Sequence, residues 1–436
     1  MKILLIGNGG REDAIARKIY NSKLFIENNG KLFNTIGSPG INRVAERVNI
    51  KPTNTNALVE FALRSEIDFT IVGPEIPLSL GIVNEFEKNG LRIFGPRKEA
   101  AEIESSKIFA KNLMQQNNIP TARYKIFSKE SLKEAREFFD KCSYPVVIKA
   151  DGLASGKGVL IARNLQEAED TIKDFCGENS FGEAGYNFVV EEFLDGEEIS
   201  VFVITDGENY VVLPFSQDHK KIEDGDQGNN TGGMGAVAPV KKLMNDNLEK
   251  KIKLKIIEPV LKALKNLNRE FSGCLYCGLM IVDDEPFVIE FNCRFGDPET
   301  QAVLPLIKSD FLSLLLAASD PSKMELKNYS LNVNDSYSCC VVLASKGYPD
   351  KYEIDKEITG IDEAETDSEV FYSGTKESKD KSKVFSNGGR VLSVVGISKK
   401  SLQAAVKKTY ENVDKINFEN IYYRKDIGFK QLIVDS

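Results

Sequence analysis

The chain has no tryptophan, one histidine among 436 residues, and no long apolar run. Each absence excludes a class of chemistry. With His219 alone, a site built from repeated histidine ligands is impossible. The seven cysteines are odd in number and scattered, which fits reduced thiols better than a disulfide framework. Their one C-x-x-C, Cys274 to Cys277 in "CLYCGLM", has no second pair to complete a four-ligand zinc site, and buried small hydrophobes are expected there. No apolar segment approaches the roughly 18 residues of a membrane span, and "MKILLIG" is too short for a secretory signal. A cytoplasmic protein with no membrane partner is therefore expected. A formal charge of −8 offers no basic surface to a phosphodiester backbone, so nucleic acid is not an expected partner. Small anionic substrates remain open through local sites.

What is present is an α/β pattern long enough for about three domains. "KILLI" reads as a buried strand, "GNGGRED" as a turn, and "AIARKIY" as a helix with apolar positions at helical spacing. "KLFNTIG", "DFTIVGPE" and "LRIFGP" are further short strands ending in Gly or Pro, separated by helical stretches such as "NALVEFALRSE". Residues 1–104 are thus expected to form a doubly wound parallel sheet. Thr121 to Glu191 reads as a small, mobile α+β module with one helix, "NLQEAEDTIKDFC". From "FVVEEFLDGEEISVFVITDGENYVVLPF" onward, apolar and polar residues alternate as in antiparallel strands with one buried face. After residue 328, "SYSCCVVLASKGYP", "GGRVLSVVGIS" and the amphipathic "SLQAAVKKTYENV" predict a small C-terminal α/β module. The expected divisions are 1–104, 105–191, 192–327 and 328–436.

Four stretches could carry chemistry. "DGLASGKGV", Asp151 to Val159, follows the strand "YPVVIKA", as a phosphate-cradling loop does. It is not a Walker loop: only three residues separate Gly152 from Gly156, and Lys157 is followed by Gly158 rather than by the Ser or Thr that ligates magnesium. If this loop covers a nucleotide, the metal is held elsewhere. "FVIEFNCRFGDPE" supplies a candidate place, because residues two apart on a strand share a face. Glu290, Asn292 and Arg294 then point one way and Ile289, Phe291 and Cys293 the other. Carboxylate and carboxamide oxygens on one face are hard ligands suited to magnesium shared with phosphates; a solvated polar face is the alternative.

"GNGGRED" lacks the third glycine of a dinucleotide fingerprint, which is Glu12 here, and the ribose-binding acid expected about 20 residues on is missing. A compact phosphate held by the Gly9 and Gly10 N–H groups and the Arg11 side chain fits better, with a turn built for packing alone as the other reading. In "VVEEFLDGEE" the backbone after Glu191 and Glu192 could meet an adenine edge while Glu198 accepts from ribose hydroxyls. "QDHKKIEDGDQGNNTGGMGA" is 20 residues without an apolar run, too long for an ordinary connection; it is expected to be either a functional loop or disordered.

In their order, these stretches resemble the ATP-grasp ligases, and within them the phosphoribosylamine–glycine ligases (glycinamide ribonucleotide synthetases) of purine biosynthesis. The likeness runs through "IGNGGRE", "GPEIPLSLGI", "SSKIFAK", "VIKADGLASGKGV", "EEFLDGEE", "SQDHKK", "NTGGMGA", "EFNCRFGDPETQ", "GGRVL" and "YRKDIG". It implies an ATP-grasp core with a mobile lid between the N-terminal sheet and the C-terminal module. It further implies that Lys107 and Lys149 contact ATP phosphates, that the loop of Gly152, Ser155, Gly156, Lys157 and Gly158 closes over them, and that Glu191, Phe193, Leu194 and Glu198 hold adenosine. Glu290 and Asn292 match the family's Mg2+ or Mn2+ ligands. Gly9, Gly10 and Arg11 match its phosphoribosylamine phosphate site, with Gly73, Pro74 and Glu75 toward the sugar. Asp218, Lys220 and Arg294, the turn of Asn230, Thr231, Gly232 and Gly233, and Gly296 with Asp297 would line the glycine and acyl-phosphate region. The implied partners are glycine, 5-phosphoribosylamine and ATP, on a monomer or weak dimer.

The chain departs from the family pattern "GGREHA" by carrying Asp13, and near its other end by "DIGFK", where a tryptophan usually follows the glycine and Phe429 stands here. A carboxylate facing a phosphate would repel it. Asp13 is therefore expected to point away and to stabilise the loop-to-helix turn by accepting backbone N–H bonds.

Overall fold

Strand β1 (Lys2–Ile6) is an almost continuously buried apolar run, as a central parallel strand must be. It occupies the middle of a five-stranded parallel sheet with β2 (Lys31–Thr35), β3 (Glu46–Val48), β4 (Phe69–Val72) and β5 (Ile93–Phe94), in the order β3-β2-β1-β4-β5. Helix α1 (Gly10–Tyr20) starts directly after the turn that leaves β1. The molecule is a computed structural model that describes residues 1–152, 158–177, 185–320 and 325–432.

A second sheet is antiparallel: β6 (Tyr124–Ser128), β7 (Val146–Ala150), β8 (Val159–Ala162) and β9 (Asn187–Glu192), in the order β6-β9-β7-β8. Asn164 caps the helix Leu165–Cys176 through its side chain, and the helix packs on the sheet. Phe127, Phe139, Ile148, Phe175 and Phe188 form a core separate from the rest of the molecule. This is the small α+β module read from the sequence, but with two helices, Leu132–Phe139 besides Leu165–Cys176, where one was expected. The connection from β7 to β8 carries the glycine-rich stretch, of which Ser155, Gly156 and Lys157 lie outside the described residues.

The third sheet orders β10 (Glu197–Thr205), β11 (Tyr210–Val212), β16 (Gly273–Val282) and β17 (Glu285–Asn292) as β11-β10-β16-β17. Its core is continuous with that of the N-terminal sheet: Leu4, Val72 and Phe86 share one apolar cluster with Val201, Leu275 and Leu279. Cys274 and Cys277 are buried on β16 with free thiols that burial pushes up, the hydrophobe role expected of them.

The stretch after Gln217 departs from expectation. It is neither an irregular loop nor disordered, but a run of short strands: β12 (Gln217–Asp218), β13 (Lys221–Glu223), β14 (Gln227–Asn230) and β15 (Gly235–Ala238). β13 and β14 pair as a ribbon. β12 and β15 enter the C-terminal sheet, where β15 pairs with β18 (Tyr337–Ser345), and β18 with the strand Arg390–Ser398. The C-terminal sheet thus takes in strands from the 192–327 segment: the buried apolar "GAVA" pairs with β12 on one side and with β18 on the other. Among the described residues no helix is long and apolar enough to cross a membrane.

Candidate functional site

The parallel sheet, the small antiparallel sheet and the β10–β17 sheet meet around the end of β17. Its burial alternates from residue 290 to 295, with Glu290, Asn292 and Arg294 partly open and Phe291, Cys293 and Phe295 buried, as strand periodicity requires. Ile289 breaks the pattern because the β16–β17 register shifts there, Gly278 facing Glu290 while Leu279 faces Val288.

Glu290 sits in a field of cations. Lys220 Nζ lies 3.3 Å from its Oε1. Lys220 first, then Lys149, Arg294 and Lys107, outweigh burial and hold its carboxyl down at about 2. Lys149 Nζ donates to Ile289 O at 2.9 Å, next to Glu290 in the chain. Lys107 Nζ donates across to Gly152 O at 2.8 Å, and burial lowers its pKa. Lys107 opens the helix Lys107–Gln116, which Ser106 caps. The same helix start holds Asp151, whose Oδ1 accepts from Ile108 N and Ser106 Oγ, both at 3.2 Å, as an acid at a helix N-terminus should.

Glu191, at the strand end expected to meet adenine through its backbone, turns its side chain inward. Its carboxylate is buried between two lysines: Lys149 Nζ is 2.9 Å from Oε1, off the direction of a good hydrogen bond, and Lys111 Nζ is 2.8 Å from Oε2. Burial pushes Lys111 down to about 8 against the pull of Glu191. Lys111 was missed in the sequence reading, although it lies one helical turn after Lys107 on the same face. Glu198 is likewise paired with Lys220 rather than open. Phe193 is exposed and Leu194 half-buried in the short link between β9 and β10.

Arg294 is gripped from two sides, by Glu75 Oε2 at 3.5 Å and Glu104 Oε1 at 3.4 Å. Glu104, also missed, accepts Cys293 N at 2.7 Å, and burial raises its pKa. Burial would raise Glu75 too, but Arg294 and Arg11 more than offset it and hold it low.

Asp218 lies where β12 meets the 230–233 turn. Its Oδ1 accepts His219 N at 2.7 Å. Burial, then the neighbouring Glu299 carboxylate, raises its pKa well above the usual range. Gly233 has φ +110°, and a Cβ there would fall 2.7 Å from Asp218 Oδ1, so only glycine fits. Thr231 Oγ1 donates to Lys220 O at 2.9 Å and accepts Gly233 N at 3.0 Å, while Asn230 pairs with Lys221 on the ribbon. Arg390, from the C-terminal module, donates to Gly232 O at 2.6 Å and to Asp297 O at 2.7 Å. It thereby joins the turn to Gly296 and Asp297. Nothing local in "GGRVL" reveals this role for Arg390.

Gly9 N donates to Glu12 Oε2 at 2.6 Å, and Arg11 N reaches Asp297 Oδ2 at 3.3 Å. The Arg11 guanidinium is buried, on Glu12 Oε1 at 2.6 Å and Phe295 O at 2.9 Å. It is therefore spent inside the protein instead of on the open face of the turn. A Cβ on Gly73 would fall 2.1 Å from Glu12 Oε1, so this glycine, beside Pro74, makes room for that carboxylate. Asp13 does point away from the turn, fully buried, as expected. Its backbone partner differs, however: Tyr372 N at 2.8 Å, joined by Arg17 Nε at 3.0 Å. The cap of the turn is Glu12.

Glu290 and Asn292 are the hard-donor pair of the site. Among the described residues no three His, Cys, Asp or Glu side chains gather as a closed metal cage. An ionised carboxylate and an amide beside Lys107, Lys149 and Lys220 fit an ion that takes its other ligands from bound anions and water.

Three family models match consecutive parts of the chain: the N domain of phosphoribosylglycinamide synthetase over residues 1–104, its ATP-grasp domain over 105–300, and its C domain over 338–430. The chain is 46% identical to the phosphoribosylamine–glycine ligase of Fusobacterium nucleatum, covering 98% of each sequence, and 42% identical to that of Haemophilus influenzae, covering 99% and 98%. The crystal structure of the phosphoribosylamine–glycine ligase of Thermotoga maritima superposes with a TM-score of 0.82 at 33% identity, covering 98% of this chain and 100% of that one. A biotin carboxylase domain from Hydrogenobacter thermophilus, 16% identical with a TM-score of 0.72, shares the fold. With all three of its parts matched in order and its relatives aligned over nearly their whole length, the chain belongs to the phosphoribosylglycinamide synthetase family.

Proposed function

We propose that the chain forms glycyl phosphate in the cleft bounded by Lys149, Glu290 and Asp218, and then passes the glycyl group to 5-phosphoribosylamine. By family membership it is an ATP-dependent ligase of purine biosynthesis, joining glycine to phosphoribosylamine to give glycinamide ribonucleotide, ADP and phosphate. The observation that carries the finer reading is the convergence of Lys107, Lys149 and Lys220 on the single ionised Glu290.

In the first step a glycine carboxylate oxygen attacks the γ-phosphorus in line, and the bond to the ADP oxygen breaks. Positioning and charge neutralisation carry such transfers. Lys149 and Lys107 are placed to meet phosphate oxygens, with Lys111 and Glu191 fixing Lys149 from behind. A Mg2+ or Mn2+ ion held by Glu290 and Asn292 would neutralise charge on the transferring group. In the second step the sugar amine attacks the acyl carbon and inorganic phosphate leaves. Asp218 supplies an acceptor beside that centre, where the amines of glycine and of the sugar must both be held, and Arg294 and Lys220 supply cations for the carboxylate and acyl phosphate. For the sugar phosphate the α1 start, Gly9 and Gly10, is the proposed seat, with Gly73, Pro74 and Glu75 toward the ribose and Arg11 acting through Glu12. Phe193 and Leu194 are proposed to meet the adenine.

We place the protein in the cytoplasm as a monomer or weak dimer, with domain limits at 104, 191 and 327. ADP formation measured with each substrate omitted in turn tests the reaction. Full ADP release without glycine would remove glycyl phosphate from the scheme.

A further inference from the structure

One end of the chain has no part in the reaction as described: the segment around "YRKDIG". In the structure it contacts the stretch from Gln217 to Asp226. Tyr422 OH donates to Ile222 O at 2.6 Å. Arg424, completely buried, donates to Asp226 Oδ1 at 2.7 Å and Lys221 O at 3.1 Å, and forks onto both oxygens of Asp426 at 2.8 and 2.7 Å. Asp426 in turn accepts Gly225 N at 2.7 Å, and Asp224 accepts Lys425 N at 2.8 Å. Gly428 N donates to His219 Nε2 at 3.0 Å, and Gln431 Nε2 to Gln217 Oε1 at 3.0 Å.

The stretch being held has little ladder of its own. β12 is two residues long, and the β13–β14 ribbon pairs only at Lys221 with Asn230 and at Glu223 with Gln227. Isolated pairs of that size are marginal in water. Strand alternation divides its two faces. Gln217 and His219 are buried toward the C-terminal segment, and Asp218 and Lys220 face the cleft. His219 is also fixed in one tautomer. Because an amide N–H can only donate, Nε2 must accept from Gly428, and Nδ1 then carries the hydrogen that Gly235 O accepts at 3.2 Å.

We propose that residues 422–431 form a strap that sets the position of Asp218 and Lys220 through His219 and Arg424, making both of these positioning residues for the acyl-transfer step. The proposal rests on the assignment of Asp218 and Lys220 to that step.

The test uses full-length His219→Leu, which removes the acceptor for Gly428, His219→Gln, which keeps one, and Arg424→Met. Hydrogen exchange of the 221–230 amides is read beside steady-state kinetics. His219→Leu and Arg424→Met are expected to speed exchange in 221–230 and to lower kcat/KM for glycine tenfold or more, with KM for ATP within twofold of wild type. His219→Gln is expected to retain at least a third of wild-type kcat/KM. Should Arg424→Met fail to fold, the His219 pair decides alone. Unchanged exchange would overturn the strap itself. Faster exchange with glycine kcat/KM within twofold of wild type would overturn the link to Asp218 and Lys220. Equal losses for His219→Gln and His219→Leu, or a parallel rise in the KM for ATP, would overturn the specific role of the histidine.

Discussion

Tyr372, 359 residues further along the chain, donates its backbone N–H to Asp13 Oδ2 at 2.8 Å. One carboxylate in the first turn of α1 thus fastens the N-terminal sheet to the C-terminal module, and Arg17 completes the joint through Asp13 and Val370 O at 2.7 Å. The departure from the family's histidine is accommodated inside a domain contact. Asp13→Asn keeps an acceptor for Tyr372 N while losing the charge pair, so it should cost about 1 kcal/mol of stability. It should leave the KM for phosphoribosylamine, read from either direction of the reaction, within about threefold. A tenfold drop in that KM would mean that the carboxylate faces the substrate.

Arg11→Ala separates packing from phosphate binding at the same turn. Glu12 is buried with Arg11 as its ion-pair partner, and stranding such a group costs about 3 kcal/mol. Thermal unfolding should show that loss, with the KM for phosphoribosylamine raised less than about threefold. A tenfold rise at unchanged stability would return the guanidinium to the substrate.

Glu290→Gln should fold normally and lower turnover by at least about a hundredfold, because the proposed metal site loses its carboxylate charge. Lys220, and then Lys149, hold the Glu290 carboxyl down at about 2, so an acid limb of kcat near neutral pH should not change in this variant. Near-normal ADP formation at saturating Mg2+ would remove Glu290 from the metal site.

Lys149→Ala and Lys111→Met divide the buried triad by function. Each leaves Glu191 with one lysine instead of two, and breaking a buried pair costs about 3 kcal/mol. Lys149→Ala should in addition raise the KM for ATP, since its ammonium lies beside Glu290. Comparable ATP kinetics for the two variants would mean that Lys149 is only structural.

Local pattern made much of this legible in advance. The parallel sheet follows from short apolar runs ending in Gly or Pro. The Glu290, Asn292 and Arg294 face follows from alternation alone, and it survives the register shift because the shift falls before Glu290. What was not legible depends on partners far off in sequence. Arg11 looks like an anion donor until Phe295 O, 284 residues on, is seen to take its Nη1. Glu191 and Glu198 read as nucleotide contacts from sequence, and their ion pairs with Lys111, Lys149 and Lys220 were not legible there. The stretch after Gln217 has no apolar periodicity because hydrogen bonds from residues 422–428, more than apolar packing, hold it.

The last expectation follows from His219 being the only histidine. Burial, then Arg424, lowers its pKa to about 4 from an ordinary 6.5; Asp226 opposes and Lys430 adds to the shift. The unfolded chain therefore takes up a proton at higher pH than the folded one. Between pH 6.5 and about 4 the unfolded state binds more protons, so stability falls as pH falls through that window, and the full contribution is present above it. At about 1.4 kcal/mol per pH unit the loss is on the order of 3 kcal/mol. Carboxylates titrate in the lower part of the same window, but they do so equally in wild type and in His219→Gln. The difference between the two denaturant-derived stability curves isolates the histidine. It should narrow steadily as the pH is lowered from 7 to 4, and a difference independent of pH would show that His219 titrates at an ordinary value and is open to solvent.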